Sequence, residues 1–388
     1  MDHSAPNRAF GSGMEHKELL RFREKSHFVE ANDPASLLAE FFIAASQRPA
    51  VRKTLASEAP RQLPLLLISQ LPRSGGSLFS QLLDGHPQLL VYPHEMRIGY
   101  PGKDTWPKLD PHDLPDRLFA KLFQPELVHF VRNGYRKPGK FKQRQAALPF
   151  DYSPRDHYRL FISLMKHPKT PRAWRFSIQN LLNGRWAYSR DGRHVLDCYF
   201  SAFFAAWPTG QTVNPRYVAG FIPSMAQSPA SIARFFADYA DGRLVTIMRN
   251  PVDWFVSRRA HTYKSAVRFN NLDAEIAIWN RMARLALRYQ RKYGAKMMLL
   301  SFKELVANRE PTMRLFANWC GIDFDAALLN QTFARRPILP NTNFNDSLKQ
   351  LPSAVLERSS QLTKTEVART LELTQTWRAR LESIGCSL

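Results

Sequence analysis

The chain has 388 residues, 44% of them apolar, enough to bury the core of one large domain or two smaller ones. Its 55 Lys and Arg against 33 Asp and Glu give a net charge of +22, a field that draws anions: nucleic acid, anionic lipid, or an acidic substrate or cofactor. Three scattered cysteines without a CxxC pair argue against a disulfide framework and a zinc site, and no run approaches the ~20 apolar residues of a membrane span.

Residues 1–60 read as an N-terminal helical extension, disordered over Met1–Met14. Helices are expected over Lys17–Val29 and Pro34–Ser57, the second capped by Asp33. The N-terminus carries no apolar signal core, so a soluble, cytoplasmic protein is expected. The longest apolar stretches, Leu37–Ala45 and Cys198–Trp207, are too short to span a bilayer.

The main domain is placed at 61–350. It opens on Leu65–Ser69, a short continuous apolar run of the kind a buried parallel strand shows. A glycine-containing turn follows at Arg73–Ser77, then an amphipathic segment, Leu78–Leu83, stopped at Asp84-Gly85-His86-Pro87. Leu89–Tyr92 reads as the next strand. Residues 100–175 are rich in Pro, Lys, Arg and aromatics with weak periodicity, and read as loops and short helices within an insert at about 100–215. Regular signals return with a strand at Tyr217–Phe221, then a helix over Pro229–Ala240 capped by Ser228. Another strand, Arg243–Met248, leads into a helix from about Val252. The helix Asp273–Tyr293 carries an apolar stripe of Ile276, Trp279, Met282 and Ala283. A strand at Met297–Ser301 and a helix through Trp319 complete the domain, and 351–388 read as a C-terminal helical segment. This alternation predicts an α/β fold: a P-loop-like central parallel β-sheet with helices on both faces.

Two segments can carry chemistry. A strand emptying through Arg73-Ser74-Gly75-Gly76-Ser77 into a helix makes an anion cradle. Amides at the helix start are unpaired, the helix dipole adds positive charge, and the glycines let backbone approach a phosphate. Arg73 adds a guanidinium fork and Ser77 a hydroxyl. This is not the nucleoside triphosphatase loop, which needs Lys after the glycines. A decoy, Gly134–Phe141, ends in Phe where that loop needs Ser or Thr. In the second segment, Arg249-Asn250-Pro251 ends a strand and starts a helix. Arg249 stands where open α/β sheets bind ligands, at a strand's carboxyl end. Ser257 lies about two helical turns further on, and the build of the turn decides whether it faces the same ligand.

Together the two segments resemble the cofactor signatures of the sulfotransferase superfamily. Pro72–Ser77 resembles its 5′-phosphosulfate loop, and Arg249, Pro251, Asp253 and Ser257 its 3′-phosphate signature. The resemblance covers roughly 63–95 and 217–347. It implies transfer of a sulfuryl group from 3′-phosphoadenosine 5′-phosphosulfate to an acceptor hydroxyl, without a metal. Arg73, Ser74, Gly75, Gly76 and Ser77 would cradle the 5′-phosphosulfate, and Arg249 and Ser257 would bind the 3′-phosphate. Gly76 stands where the family has Ser or Thr. One hydroxyl contact is therefore lost, and Ser77 and the backbone must suffice.

Transfer also needs a base for the acceptor's proton. Tyr92-Pro93-His94-Glu95 follows the second strand, and the resemblance points to Glu95 first and His94 second. An ion pair of Glu95 with Arg97 is the competing structural role, and His86 reads as a helix-end residue. Arg335–Phe344 reads either as a lid over the nucleotide or as a plain turn. The acceptor is expected to be a small molecule or glycan, with a mild preference for a saccharide or glycolipid from Trp174, Trp186 and Tyr188. Peripheral contact with an anionic membrane surface suits the charge. The oligomeric state is left open. A small-molecule kinase would need a loop Lys and an acidic magnesium ligand, and a nucleic-acid binder a recognisable module; neither signature is found.

Overall fold

The structure, a computed structural model, describes residues 60–110, 113–124, 127, 152–166, 192–207, 214–260, 271–338 and 359–388. The expected helices over 17–29 and 34–57, the Gly134–Phe141 decoy, Trp174, Trp186, Tyr188 and Asn341–Phe344 lie outside these residues.

Five strands form one wholly parallel sheet: β1 (Leu65–Ile68), β2 (Leu89–Glu95), β3 (Tyr217–Phe221), β4 (Arg243–Met248) and β5 (Met297–Ser301). Their spatial order is β2-β3-β1-β4-β5. β1 lies in the middle, and all four of its residues are buried. That is why its apolar run is unbroken: Leu65 and Leu67 enter one core, Leu66 and Ile68 the other. β2 is an edge strand, so it tolerates Pro93 and continues to Glu95, past the expected end at Tyr92, with a register shift between Val91 and Glu95.

The helices divide between the two faces. α1 (Gly76–Leu83) shares one core with two helices after β5. Phe79 of α1 meets Phe316 edge to face at 5.1 Å. The other face carries α2 (Pro115–Leu122), α3 (Pro154–Met165), α4 (Gly192–Ala206), α5 (Pro229–Asp238), α6 (Pro251–Arg259) and α7 (Leu272–Tyr293). Side-chain caps start several of these: Ser228 accepts from the Ser231 amide, Asn250 from Val252 and Asn271 from Ala274. The expected single helix through Trp319 is two, α8 (Phe302–Ala307) and α9 (Arg309–Cys320), separated at Asn308.

The insert departs from expectation in its last helix. Its described part holds the loops and short helices expected up to α3, but α4 runs for 15 residues with ten of them buried. A helix buried on nearly every side shows no polar stripe, so its periodicity was invisible. His157 on α3 ties it down: its Nδ1 accepts from the Tyr152 hydroxyl at 2.6 Å and its Nε2 donates to the Tyr199 carbonyl at 3.1 Å. α10 (Lys364–Glu382), opened by a Thr363–Glu366 capping box, packs on α6 and α7. Glu366 pairs with Arg259, and Asn280 donates to the Leu373 carbonyl at 2.9 Å.

Candidate active site

β1 and β4 are neighbours, yet the helices that follow them lie on opposite faces of the sheet. The chain therefore parts at their carboxyl ends and opens a crevice there, the place where such sheets bind ligands. Arg73 leaves β1, Arg249 leaves β4 and Phe302 leaves β5, so three adjacent strands deliver their next residues to one corner.

The loop after β1 is held in an unusual backbone. Arg73 has φ 76° and Gly75 φ 102°, both left-handed. For a side-chain-bearing residue such as Arg73 this costs roughly 1–2 kcal/mol. Gly75 is required twice over: a Cβ there would also stand 2.4 Å from Phe302 Cδ2. Gly76 opens α1, and a Cβ on it would lie 1.9 Å from Gln70 Nε2 and 2.5 Å from Phe221 Cε2. No side chain caps α1, so its first amides are left to the crevice. Ser74 is buried and Ser77 half-buried beside them.

The second loop is locked to the first. Arg249 is 5% exposed, its guanidinium centre 4.5 Å from the centroid of the Phe302 ring. Its Nη1 reaches the Arg73 carbonyl at 3.4 Å. Arg73 Nε in turn donates to Ser257 Oγ at 3.3 Å. Ser257 is 2% exposed, so the α6 axis does bring it back to the same corner. Two indoles fix the loop backbones: Trp254 Nε1 donates to the Pro72 carbonyl at 2.9 Å, Trp279 Nε1 to that of Arg249 at 3.0 Å. The structure thus brings together Arg73, Ser74, Gly75, Gly76, Ser77, Arg249 and Ser257. Sequence reasoning had not singled out Gln70, Trp254 or Phe302 for the site.

Glu95 ends β2. Its carboxylate accepts from Arg97 Nε at 3.0 Å and from Nη2, so the ion pair forms. Gln124 braces this pair by donating to the Glu95 carbonyl at 2.7 Å and accepting from the Arg97 amide at 3.1 Å. His94 stands one residue earlier on β2, and its side chain lies outside the described residues. His86 is a helix-end residue, as expected. Its Nδ1 accepts from the Gln88 amide at 3.2 Å and its Nε2 donates to the Asp323 carbonyl at 2.9 Å. Burial pushes its pKa down, so the imidazole is a neutral brace.

Arg335–Pro337 belong to a small hairpin, β6 (Thr332–Phe333) with β7 (Arg336–Pro337). Asp84 holds it, accepting from the Thr332 hydroxyl at 2.7 Å and the Arg335 amide at 2.8 Å. Asp84 caps the C-terminal end of α1, about 12 Å along the eight-residue helix from the cradle. The described part of this segment is therefore a clamp on the far end of α1. Among the described residues, no group of His, Cys, Asp and Glu could hold a metal ion, and no helix is long and apolar enough to cross a membrane.

Several solved structures are similar to the chain at low identity. The sulfotransferase domain of the Synechococcus PCC 7002 olefin synthase is 17% identical, with TM-score 0.43, over 84% of this chain and 97% of that one. A sulfotransferase from Alicyclobacillus acidocaldarius is 14% identical, with TM-score 0.42, over 84% and 97%. A mouse sulfotransferase complexed with PAP is 8% identical, with TM-score 0.35, over 88% and 89%. Comparison with curated proteins gave no match. The family model described as "Sulfotransferase family" matches residues 64–326, from the first residues of β1 through α9 and well over half of the chain. That span contains both loops of the crevice and every strand of the parallel sheet, and the chain belongs to the sulfotransferase family.

Proposed function

We propose that the chain transfers a sulfuryl group from 3′-phosphoadenosine 5′-phosphosulfate to an acceptor hydroxyl, with a saccharide or glycolipid as the preferred acceptor. One observation carries the reading: Arg73, Ser257 and Arg249 converge, linked by contacts of 3.3 and 3.4 Å, although 176 residues separate the two arginines. A donor with anionic groups at both its 5′ and 3′ positions suits a corner built from two such loops. Gly75 and Gly76 let Phe302, Gln70 and Phe221 pack directly on the loop backbone, which would hold the cradle's shape for a 5′-phosphosulfate. Arg73, Ser74 and Ser77 line its wall, and Arg249 with Ser257 would take the 3′-phosphate.

When bound, the donor supplies an activated sulfuryl group on a phosphate leaving group. Negative charge then builds on the leaving phosphate, and Arg73 with the open amides of α1 is placed to offset it. Glu95 is the first candidate to take the acceptor's proton, and His94 the second. The hydroxyl must share the Glu95 carboxylate with Arg97, whose guanidinium fixes the carboxylate's direction. A phosphoryl-transfer reading is weaker, because the loop 73–77 contains no Lys.

Equilibrium titration with adenosine 3′,5′-bisphosphate tests the donor. Binding that free ATP fails to displace supports the reading; tighter binding of ATP with magnesium refutes it. An acceptor panel with radiolabelled sulfuryl donor then identifies the hydroxyl.

A further inference from the structure

We propose that Gln70 is a donor-binding residue: its carboxamide stands in for the hydroxyl that Gly76 lacks and donates to the 5′ anionic group in the cradle. The inference rests on the donor reading above and adds a residue that the loop pattern does not contain.

Gln70 follows β1 and is 1% exposed. Its backbone carbonyl is used, accepting from the Ser224 amide at 3.1 Å. Its side-chain Oε1 is buried with no hydrogen-bond partner. That oxygen is an acceptor and an anion leaves it unpaired, so the carboxamide is kept at a polar cost that Leu or Met would avoid, and its nitrogen is the atom that can meet an anion. The side chain is aimed at the first residue of α1, where Nε2 lies 1.9 Å from the position a Gly76 Cβ would take. The Phe221 ring closes the other side at 2.5 Å from that position. Gln70 therefore occupies the volume of a residue-76 side chain, at the point where the helix amides open.

This explains the departure of Gly76 from the family pattern as an exchange. A hydroxyl on residue 76 is replaced by an amide reaching in from residue 70, and the two cannot coexist. A carboxamide nitrogen offers two donors and no charge. It adds directed hydrogen bonding to an anion already balanced by Arg73.

The test uses the full chain and two ligands, adenosine 3′,5′-bisphosphate and adenosine 3′-monophosphate, which lacks the 5′ group. Gln70→Leu should bind the bisphosphate about tenfold more weakly, the scale of one hydrogen bond to a charged group, and bind the 3′-monophosphate unchanged. Gln70→Glu should lose more, since a carboxylate repels the anion. Melting of Gln70→Leu without ligand should match or exceed that of the wild type, because no unpaired amide is buried. If both ligands weaken equally, Gln70 merely braces the loop and the proposal fails. If the wild type binds no bisphosphate, the donor reading falls first and takes this inference with it. Should Gln70→Leu not fold, a rescue gives the same decision. Adding Gly76→Ser to Gln70→Ala/Phe221→Leu should recover bisphosphate affinity, and no recovery overturns the exchange.

Discussion

Replacing Gly75 with Ala tests how the cradle is held. The new methyl faces two penalties. At φ 102° an L-residue is strained by roughly 1–2 kcal/mol. The Cβ would also lie 2.4 Å from Phe302 Cδ2, in a ring that cannot retreat without lifting Arg249 from its face. Overpacking of this kind costs about 1–3 kcal/mol. The sum, about 2–5 kcal/mol, should appear as a lower urea midpoint at constant slope. The two parts separate in a double-mutant cycle with Phe302→Ala, which alone should cost about 3–5 kcal/mol as a large-to-small core change. In the double variant the overpacking part should vanish, leaving a favourable coupling of about 1–3 kcal/mol. Additive losses would show that Phe302 does not press on Gly75. Wild-type stability of Gly75→Ala would refute both parts.

Four further outcomes follow from the same geometry. Arg73→Gly removes a strained left-handed residue and a charge together, so melting should not fall while transfer is abolished; a fall in melting temperature with activity retained would contradict the assignment. Arg249→Lys keeps the charge but loses the planar fork over Phe302, so bisphosphate affinity should drop about tenfold or more by calorimetry, and an unchanged dissociation constant would count against Arg249. Glu95→Gln should lower kcat with little change in donor affinity; if a His94 substitution does so instead, the base is His94. Stability against pH should show two opposed slopes. Burial pushes Asp197 up to about 7, so its folded form holds an extra proton and its contribution is lost as pH rises through 7. Burial lowers His157 to about 3, so the unfolded form binds the extra proton and its contribution is lost as pH falls from 6.5 towards 3. Between about pH 4 and 6.5 the two nearly cancel, each at most about 1.4 kcal/mol per pH unit. Asp197→Asn should expose a stability that rises with pH across that window, and a flat curve in denaturant melts would refute the pairing.

Much of the corner around Arg73 and Arg249 was legible because its signals are local. The apolar run of β1, the glycines after it and the Arg-Asn-Pro break after β4 each announce themselves within a few residues. What was hidden depends on neighbours far away in sequence. Phe302 is one more aromatic after a strand until the order β1-β4-β5 places it beneath Arg249. Ser257 faces Arg73 only because of the direction in which α6 leaves its turn. β2 overran its expected end because Pro stops a central strand but not an edge. α4 was missed because burial on nearly every side erases the polar stripe that periodicity detects.

The strand order has a consequence for how such a chain can diversify. The long connection from β2 to β3 begins and ends on the two strands at one side of the sheet, while Arg73, Arg249 and Phe302 follow β1, β4 and β5. Lengthening or exchanging that connection re-registers none of the strands that hold the corner of Arg73, Arg249 and Phe302. Each doubling of a flexible connection costs only about 0.6 kcal/mol in closure entropy. Under the proposed function, acceptor preference and donor binding are therefore separable traits in this architecture. They would meet at Glu95 and His94, the two candidate bases on the strand where the connection departs.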